Sequence, residues 1–178
     1  MKKVKTLYLH GLDSSPLPQK MEMLENAGFD VTAPFIDYRK EKSVYQRMRA
    51  LALEENIEFL AGSSLGGYVA FWLAEDLGLP CLLFNPAMSY SDQLSDFIPD
   101  IEIGSCPARF VVIGQWDEVV DPQKNIRFFR EIEDDNCYHR LIICDWLAHE
   151  IDFPSFEELV NWAAAGYRVF KRIQTELR

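Results

Sequence analysis

The sequence is poor in the residues that usually hold metals. It has three histidines and four cysteines among 178 residues. Cys81, Cys106, Cys137 and Cys144 form no Cys-x-x-Cys pair, which argues against a zinc knuckle and a thioredoxin-type redox pair; no metal is expected. Cys81 and Cys144 stand in apolar runs, which suits buried free thiols. Basic charge is also scarce. Eighteen Lys and Arg against 28 Asp and Glu give a formal net charge of −10. A phosphate backbone needs a basic footprint, so neither nucleic acid nor an anionic membrane surface is an expected partner. No apolar run approaches the roughly 18 residues of a membrane span. The apolar stretch that ends at His10 is shorter than the roughly 7–15 residues of a secretory core. A cytoplasmic protein is the expectation. No internal repeat, low-complexity tract or linker is present.

What is there suits one packed core. The apolar fraction is 48% and the aromatic fraction 13%, in a length typical of one domain of roughly 100–200 residues. Residues 1–178 are read as a single domain. Short apolar runs alternate with helical periodicity. Strands are expected at Val4 to Leu9, Val31 to Ala33, Ile57 to Ala61, Cys81 to Phe84, Arg109 to Ile113 and Tyr138 to Cys144. Between them, Leu17, Met21 and Leu24 repeat at helical spacing, as do Val44, Met48 and Leu51. Leu65 to Leu77 is apolar nearly all round, so that helix must be covered on most sides. A further helix follows Pro122, and a long terminal one starts near Ser155. This alternation predicts a three-layer α/β/α sandwich on a mostly parallel sheet. Ligands of such sheets bind beyond the carboxyl ends of the strands. Each candidate residue can therefore be tested by asking whether it follows a strand or precedes one.

Gly62-Ser63-Ser64-Leu65-Gly66 is a Gly-x-Ser-x-Gly pentapeptide between a strand and a helix, the context of a nucleophile elbow. Ser64 is the candidate nucleophile. A plain hydroxyl needs a base, and on such elbows the partners follow in the order Ser, acid, His. His139 opens the sixth strand and so belongs to the opposite edge, whereas His149 follows that strand and is the candidate base. Asp117 follows the fifth strand and is the candidate acid. Asp121 precedes Pro122 and a helix, and reads as an N-cap, with a lesser claim to the acid role. His10-Gly11-Leu12 follows the first strand. The backbone N–H groups of Leu12 and Leu65 are the candidate oxyanion donors, and His10 reads as a shaper of this loop. Ser14 and Ser15, before Pro16, read as caps of the first helix.

Several of these blocks occur together and in order: Tyr8-Leu9-His10-Gly11, Ser14-Ser15-Pro16, Gly62-Ser63-Ser64-Leu65-Gly66-Gly67-Tyr68, Asn85-Pro86-Ala87, Asp117-Glu118-Val119-Val120-Asp121, and His149 before the last helix. In them the sequence resembles the α/β-hydrolase superfamily and, within it, the small YqiA-like esterases. The resemblance implies a minimal α/β-hydrolase fold and a serine triad acting on esters or thioesters without a cofactor. It also suggests a small lid between the fourth and fifth strands, at residues 85–107. There Met88, Tyr90, Leu94, Phe97 and Ile98 are candidates for an acyl pocket, with a short helix packed on the body as the equal alternative. Trp116, Trp146 and Leu147, on strand-end loops, are candidate substrate-binding walls.

Charge bears on the substrate. The strand-end loops carry Asp13, Asp117, Glu118, Asp121, Asp145, Glu150 and Asp152, and the first loop meets no cation before Lys20. Like charges at a rim add up against an anion. A small neutral ester is therefore the expected small-molecule partner, ahead of a coenzyme A thioester. Thioester hydrolysis or another acyl transfer on the same triad remains an alternative. So does a binding protein that kept the fold without turnover.

Overall fold

The computed structural model describes residues 2–176. Six strands form one sheet: β1 (Val4–Leu9), β2 (Phe29–Thr32), β3 (Phe59–Ser63), β4 (Cys81–Phe84), β5 (Ala108–Gly114) and β6 (Tyr138–Cys144). Their order is β2-β1-β3-β4-β5-β6, with every neighbouring pair parallel. The helices are α1 (Pro18–Asn26), α2 (Val44–Glu54), α3 (Leu65–Leu77), α4 (Ser91–Leu94), α5 (Pro122–Glu131) and α6 (Phe153–Glu176). Parallel neighbours cannot be joined by hairpins, so helices fill the crossovers and cover both faces. One core lies between the sheet and α2, α3 and α5, around Met48, Val69, Phe71 and Phe129. The other lies beneath α1 and α6, around Leu24, Phe59, Phe110 and Phe156. The expected three-layer architecture is therefore present.

α3 is the central helix of the first layer, and ten of its 13 residues are buried. Gly78 ends it in the left-handed conformation (φ 62°), which removes the Cβ clash at that turn. The sheet winds one way from β1 to β2 and the other way from β1 to β3. The crevice outside β1 and β3 is thus the topological switch point.

Four local expectations shift. β2 runs Phe29–Thr32 rather than Val31 to Ala33, because Phe29 and Asp30 pair in register with Val4 and Lys5 of β1. β3 starts at Phe59 rather than Ile57, because the Ile57 N–H closes the end of α2 on the Ala52 carbonyl (2.9 Å). α1 starts at Pro18 with Leu17 at its N-cap and no side-chain cap, so Ser14 and Ser15 cap nothing. α6 starts at Phe153, where the Asp152 carboxylate accepts the Ser155 N–H (2.9 Å). Among the described residues no helix is long and apolar enough to cross a membrane.

Candidate active site

β3 delivers Ser64 onto the first turn of α3 with φ 54° and ψ −120°. A non-glycine residue held there costs about 1–3 kcal/mol and must be fixed by its surroundings. The Ser64 N–H donates to the Phe84 carbonyl (2.9 Å), and the Ser64 carbonyl accepts from Tyr68 and Ala87 (3.0 Å each). The turn also needs close backbone approach. A Cβ on Gly66 would run into the carbonyl oxygens of Leu9 and His10, and one on Gly62 into Gly66. Leu65 is the first helical residue, where backbone N–H groups have no intrahelical acceptor and the helix dipole is positive.

Asp117 and His149 meet from different strand ends. Asp117 Oδ2 lies 2.8 Å from His149 Nδ1. Asp117 Oδ1 accepts the N–H groups of Val119 and Val120 (2.8 Å each). The Asp117 side chain is 1% exposed and that of His149 22%. The carboxylate is thus fixed by two backbone donors, while the imidazole is held at Nδ1 and keeps its other edge toward a cavity. Asp121 does something else: its Oδ1 accepts from Gln123 and Lys124 (2.9 and 3.2 Å) and caps α5. His139 lies at the other end of β6, paired in register with Arg109 and beside the Phe129 ring.

The loop after β1 reaches Ser64 directly. A Cβ on Gly11 would lie 3.3 Å from the Ser64 Cβ, and Leu12 lines the same cavity as Ser64 and His149. His10 holds this loop. Its Nε2 accepts the Ile36 N–H (2.9 Å), so Nδ1 carries the proton and donates to the Gly11 carbonyl (2.8 Å). Tyr38 donates its hydroxyl to the His10 carbonyl (2.8 Å). Burial lowers the His10 pKa from the ordinary histidine value, against the smaller pull of the Gly11 carbonyl. Asp13, next along (φ 56°), is paired with Arg39.

The cavity that holds Ser64 and His149 has a volume of about 630 Å³. Its apolar walls are Leu12, Leu17, Phe84, Ile151, Phe153 and Pro154. Tyr8 and Ser63 also face it, their hydroxyls 2.9 Å apart, and burial raises the Tyr8 pKa. Asp13, Glu150 and Asp152 contribute carboxylates, and Lys20 the one ammonium among its lining residues. Lys20 lies 4.8 Å above the Phe156 ring. Burial lowers its pKa, opposed by Glu150 and Asp152.

The walls differ from those expected. Trp116, Trp146 and Leu147 do not line this cavity. Trp116 is tied to the last loop instead, its backbone N–H on the Leu147 carbonyl (2.9 Å) and its indole N–H on the Asp145 carbonyl (2.5 Å). Trp116 and Trp146 stay 64% and 57% exposed, and Leu147 is buried in the core beneath α6. Met88, Tyr90, Leu94, Phe97 and Ile98 do not line it either. Residues 88–97 form short helical turns, with Met88, Leu94 and Ile98 packed on the α3 side of the sheet, whereas the cavity opens over α1 and the start of α6. The walls the sequence does not announce are Tyr8, Ser63, Phe84 and Ile151 to Pro154. The one signal for them was their place at or just beyond strand ends and beside His149. Among the described residues no group of three or more His, Cys, Asp or Glu is arranged to hold a metal ion.

Comparison with known proteins agrees with the fold. The model of an uncharacterised protein family, UPF0227, matches residues 5–106. A crystal structure from Xanthomonas campestris pv. campestris, of a protein classed with the hydrolases of the alpha/beta superfamily, is 19% identical. The match covers 93% of this chain and 99% of that one, with a TM-score of 0.71. A monoacylglycerol lipase from Paleococcus ferrophilus is 16% identical over 91% of this chain and 94% of its own (TM-score 0.67). Esterase PE8 is 17% identical over 94% and 93% (TM-score 0.66). At these identities the likeness establishes the α/β-hydrolase fold.

Proposed function

The chain belongs to the uncharacterised protein family UPF0227, and we propose that it is a serine hydrolase of small, neutral carboxylic esters. The observation that carries the reading is the Asp117–His149 hydrogen bond (2.8 Å) facing a cavity that also holds Ser64 on a left-handed backbone. In this reading Ser64 Oγ attacks the ester carbonyl carbon while His149 Nε2 takes its proton. The Leu12 and Leu65 N–H groups stabilise the oxyanion. Collapse returns the proton to the departing alcohol and leaves an acyl group on Ser64. Water then attacks the acyl carbon while His149 takes its proton; the bond to Ser64 Oγ breaks, His149 returns the proton to Oγ, and the carboxylic acid leaves. Asp117 holds the imidazole by Nδ1 and stabilises the imidazolium.

Charge ranks the substrates. Asp13 is paired with Arg39, so Glu150 and Asp152 against the Lys20 ammonium leave the rim net negative, which supports a neutral ester over a coenzyme A thioester. Thioester hydrolysis on the same triad is the runner-up, and ligand binding without turnover is the reading from another class. A fluorophosphonate that reacts with activated serines tests enzyme against binder. We expect it to label the wild-type protein and not Ser64→Ala, and Ser64→Ala to lose ester hydrolysis by about four to six orders of magnitude. Undiminished hydrolysis by purified, folded Ser64→Ala overturns the reading.

A further inference from the structure

Ser64, Asp117 and His149 follow three different strands, β3, β5 and β6, and something must hold their loops in one frame. β4 lies between β3 and β5, and the residue just beyond it is Asn85. Asn85 is 2% exposed and left-handed, with φ 43°. Its backbone N–H donates to the Val112 carbonyl in β5 (2.9 Å). Its Oδ1 accepts the Gly114 N–H (2.7 Å), and the Gly114 carbonyl in turn accepts the Asp117 N–H (3.3 Å). Its Nδ2 donates to the carbonyls of Ala148 (2.9 Å) and of His149 itself (3.2 Å). The flanking backbone grips the third loop, with Phe84 accepting from the Ser64 N–H and Ala87 donating to the Ser64 carbonyl. Asn125 anchors the segment by donating to the Pro86 carbonyl (2.7 Å).

We propose that Asn85 is a positioning residue of the hydrolytic site, whose amide references the His149 main chain to the start of the Asp117 loop and so sets where the imidazole stands relative to Ser64. The inference rests on the serine-hydrolase reading. The chemistry of the position singles out an amide. It must present one acceptor to an N–H and two donors to two carbonyls, on a backbone that asparagine tolerates better than most residues. Aspartate keeps the size and the acceptor but turns a carboxylate toward two carbonyl oxygens. Glycine keeps the backbone and removes the side chain.

The test uses Asn85→Asp, with Asn85→Gly in reserve should the first not fold. Active sites are counted by end-point fluorophosphonate titration, and kcat and KM for a small neutral ester are expressed per titrated site. The low-field proton resonance of the His149–Asp117 hydrogen bond, identified by its loss in His149→Ala, is followed by NMR. A one-ångström misplacement costs on the order of 100-fold, so kcat per site should fall about 10–100-fold, with KM changed by no more than about two-fold. The His149 resonance should shift or broaden. Wild-type kcat per titrated site overturns the proposal, even if fewer sites titrate, because that is the mark of a structural role alone. A fall in kcat with the resonance unchanged overturns it too. Failure of the underlying reading is separate: it would show as hydrolysis surviving in Ser64→Ala, while the resonance still reports whether Asn85 places His149.

Discussion

The sheet has a buried carboxylate at each edge, and each accepts from several donors, yet only at the carboxyl edge does a partner of the carboxylate, His149, line the cavity of Ser64. At the amino edge Glu75 Oε2 accepts the N–H groups of Gly104, Ser105 and Cys106, and Oε1 accepts from Arg109 Nε and Nη2. Both side chains of that pair are 0% exposed. At the carboxyl edge Asp117 also takes backbone N–H groups, but its cationic partner would be a titratable imidazole, 22% exposed. Arginine keeps its charge at any working pH, so the Glu75–Arg109 pair is a closed unit that ties the 104–106 turn to α3 and β5. Histidine can take and release a proton, and its free edge adjoins Ser64's cavity. The same physics that makes one carboxylate a clamp makes the other a candidate for chemistry. The difference lies in the partner and in access.

The sharpest way to break the comparison is at the carboxyl edge. Asp117→Asn should lower kcat/KM by about 10⁴-fold, and His149→Ala by as much as Ser64→Ala, because the members of the proposed triad would act as a unit. His139→Ala, at the amino end of β6, should stay within about two-fold. Steady-state kinetics on folded protein checks all three, and a larger loss in His139→Ala would remove the asymmetry between the edges. At the amino edge the expected loss is of stability. Arg109→Met leaves the Glu75 carboxylate buried without its cation, which should cost about 3–5 kcal/mol. Denaturant unfolding reads that loss, while kcat per titrated site should stay close to wild type. A smaller effect belongs to Asp121→Ala, which removes the cap of α5 and should cost about 1 kcal/mol. If Asp121→Ala instead lost as much rate as Asp117→Asn, the two carboxylates of that loop would have exchanged roles.

The smallest effect is a pH dependence at the carboxyl edge. Burial holds the His10 pKa below its unfolded value of about 6.5, and its Nε2 must stay unprotonated to accept from Ile36. The unfolded chain therefore takes the proton first. The stabilisation is complete above about pH 6.5 and is lost as the pH falls toward the folded value. Melting temperatures measured across that window should decline more gently in His10→Gln than in the wild type. Equal slopes would show that His10 carries no such share.

Ser64 was legible because its signal is local. Glycines around a serine, between an apolar strand and an apolar helix, describe a turn that any reader of the chain can place. His149 and Asp117 were reached by one added rule, that chemistry sits beyond the carboxyl ends of parallel strands. In the structure they meet, at 2.8 Å. Asn85 belongs to the Asn85-Pro86-Ala87 block, but its job is invisible in the sequence, because its partners Gly114, Ala148 and His149 lie 29 to 64 positions away. The tryptophans were misplaced for a related reason. An aromatic residue on a strand-end loop reads as a wall, but the backbone and indole N–H groups of Trp116 bond to the Leu147 and Asp145 carbonyls, partners about thirty positions on, and the ring lies outside the cavity.

By itself, then, the sequence determined the alternation of strands and helices, the parallel sheet, the strand-turn-helix around Ser64 and the residue types that follow it. Those properties rest on periodicity, turn chemistry and chain order, which neighbouring residues express together. Tertiary structure alone decided the cavity. Leu17 and Lys20 face Ile151 and Phe153 across it because α1 and α6 share one face of the sheet, while residues 88–98 were sent to the other. A wall is made where residues far apart in the chain come to the same side of a sheet, and no local pattern records which side that is.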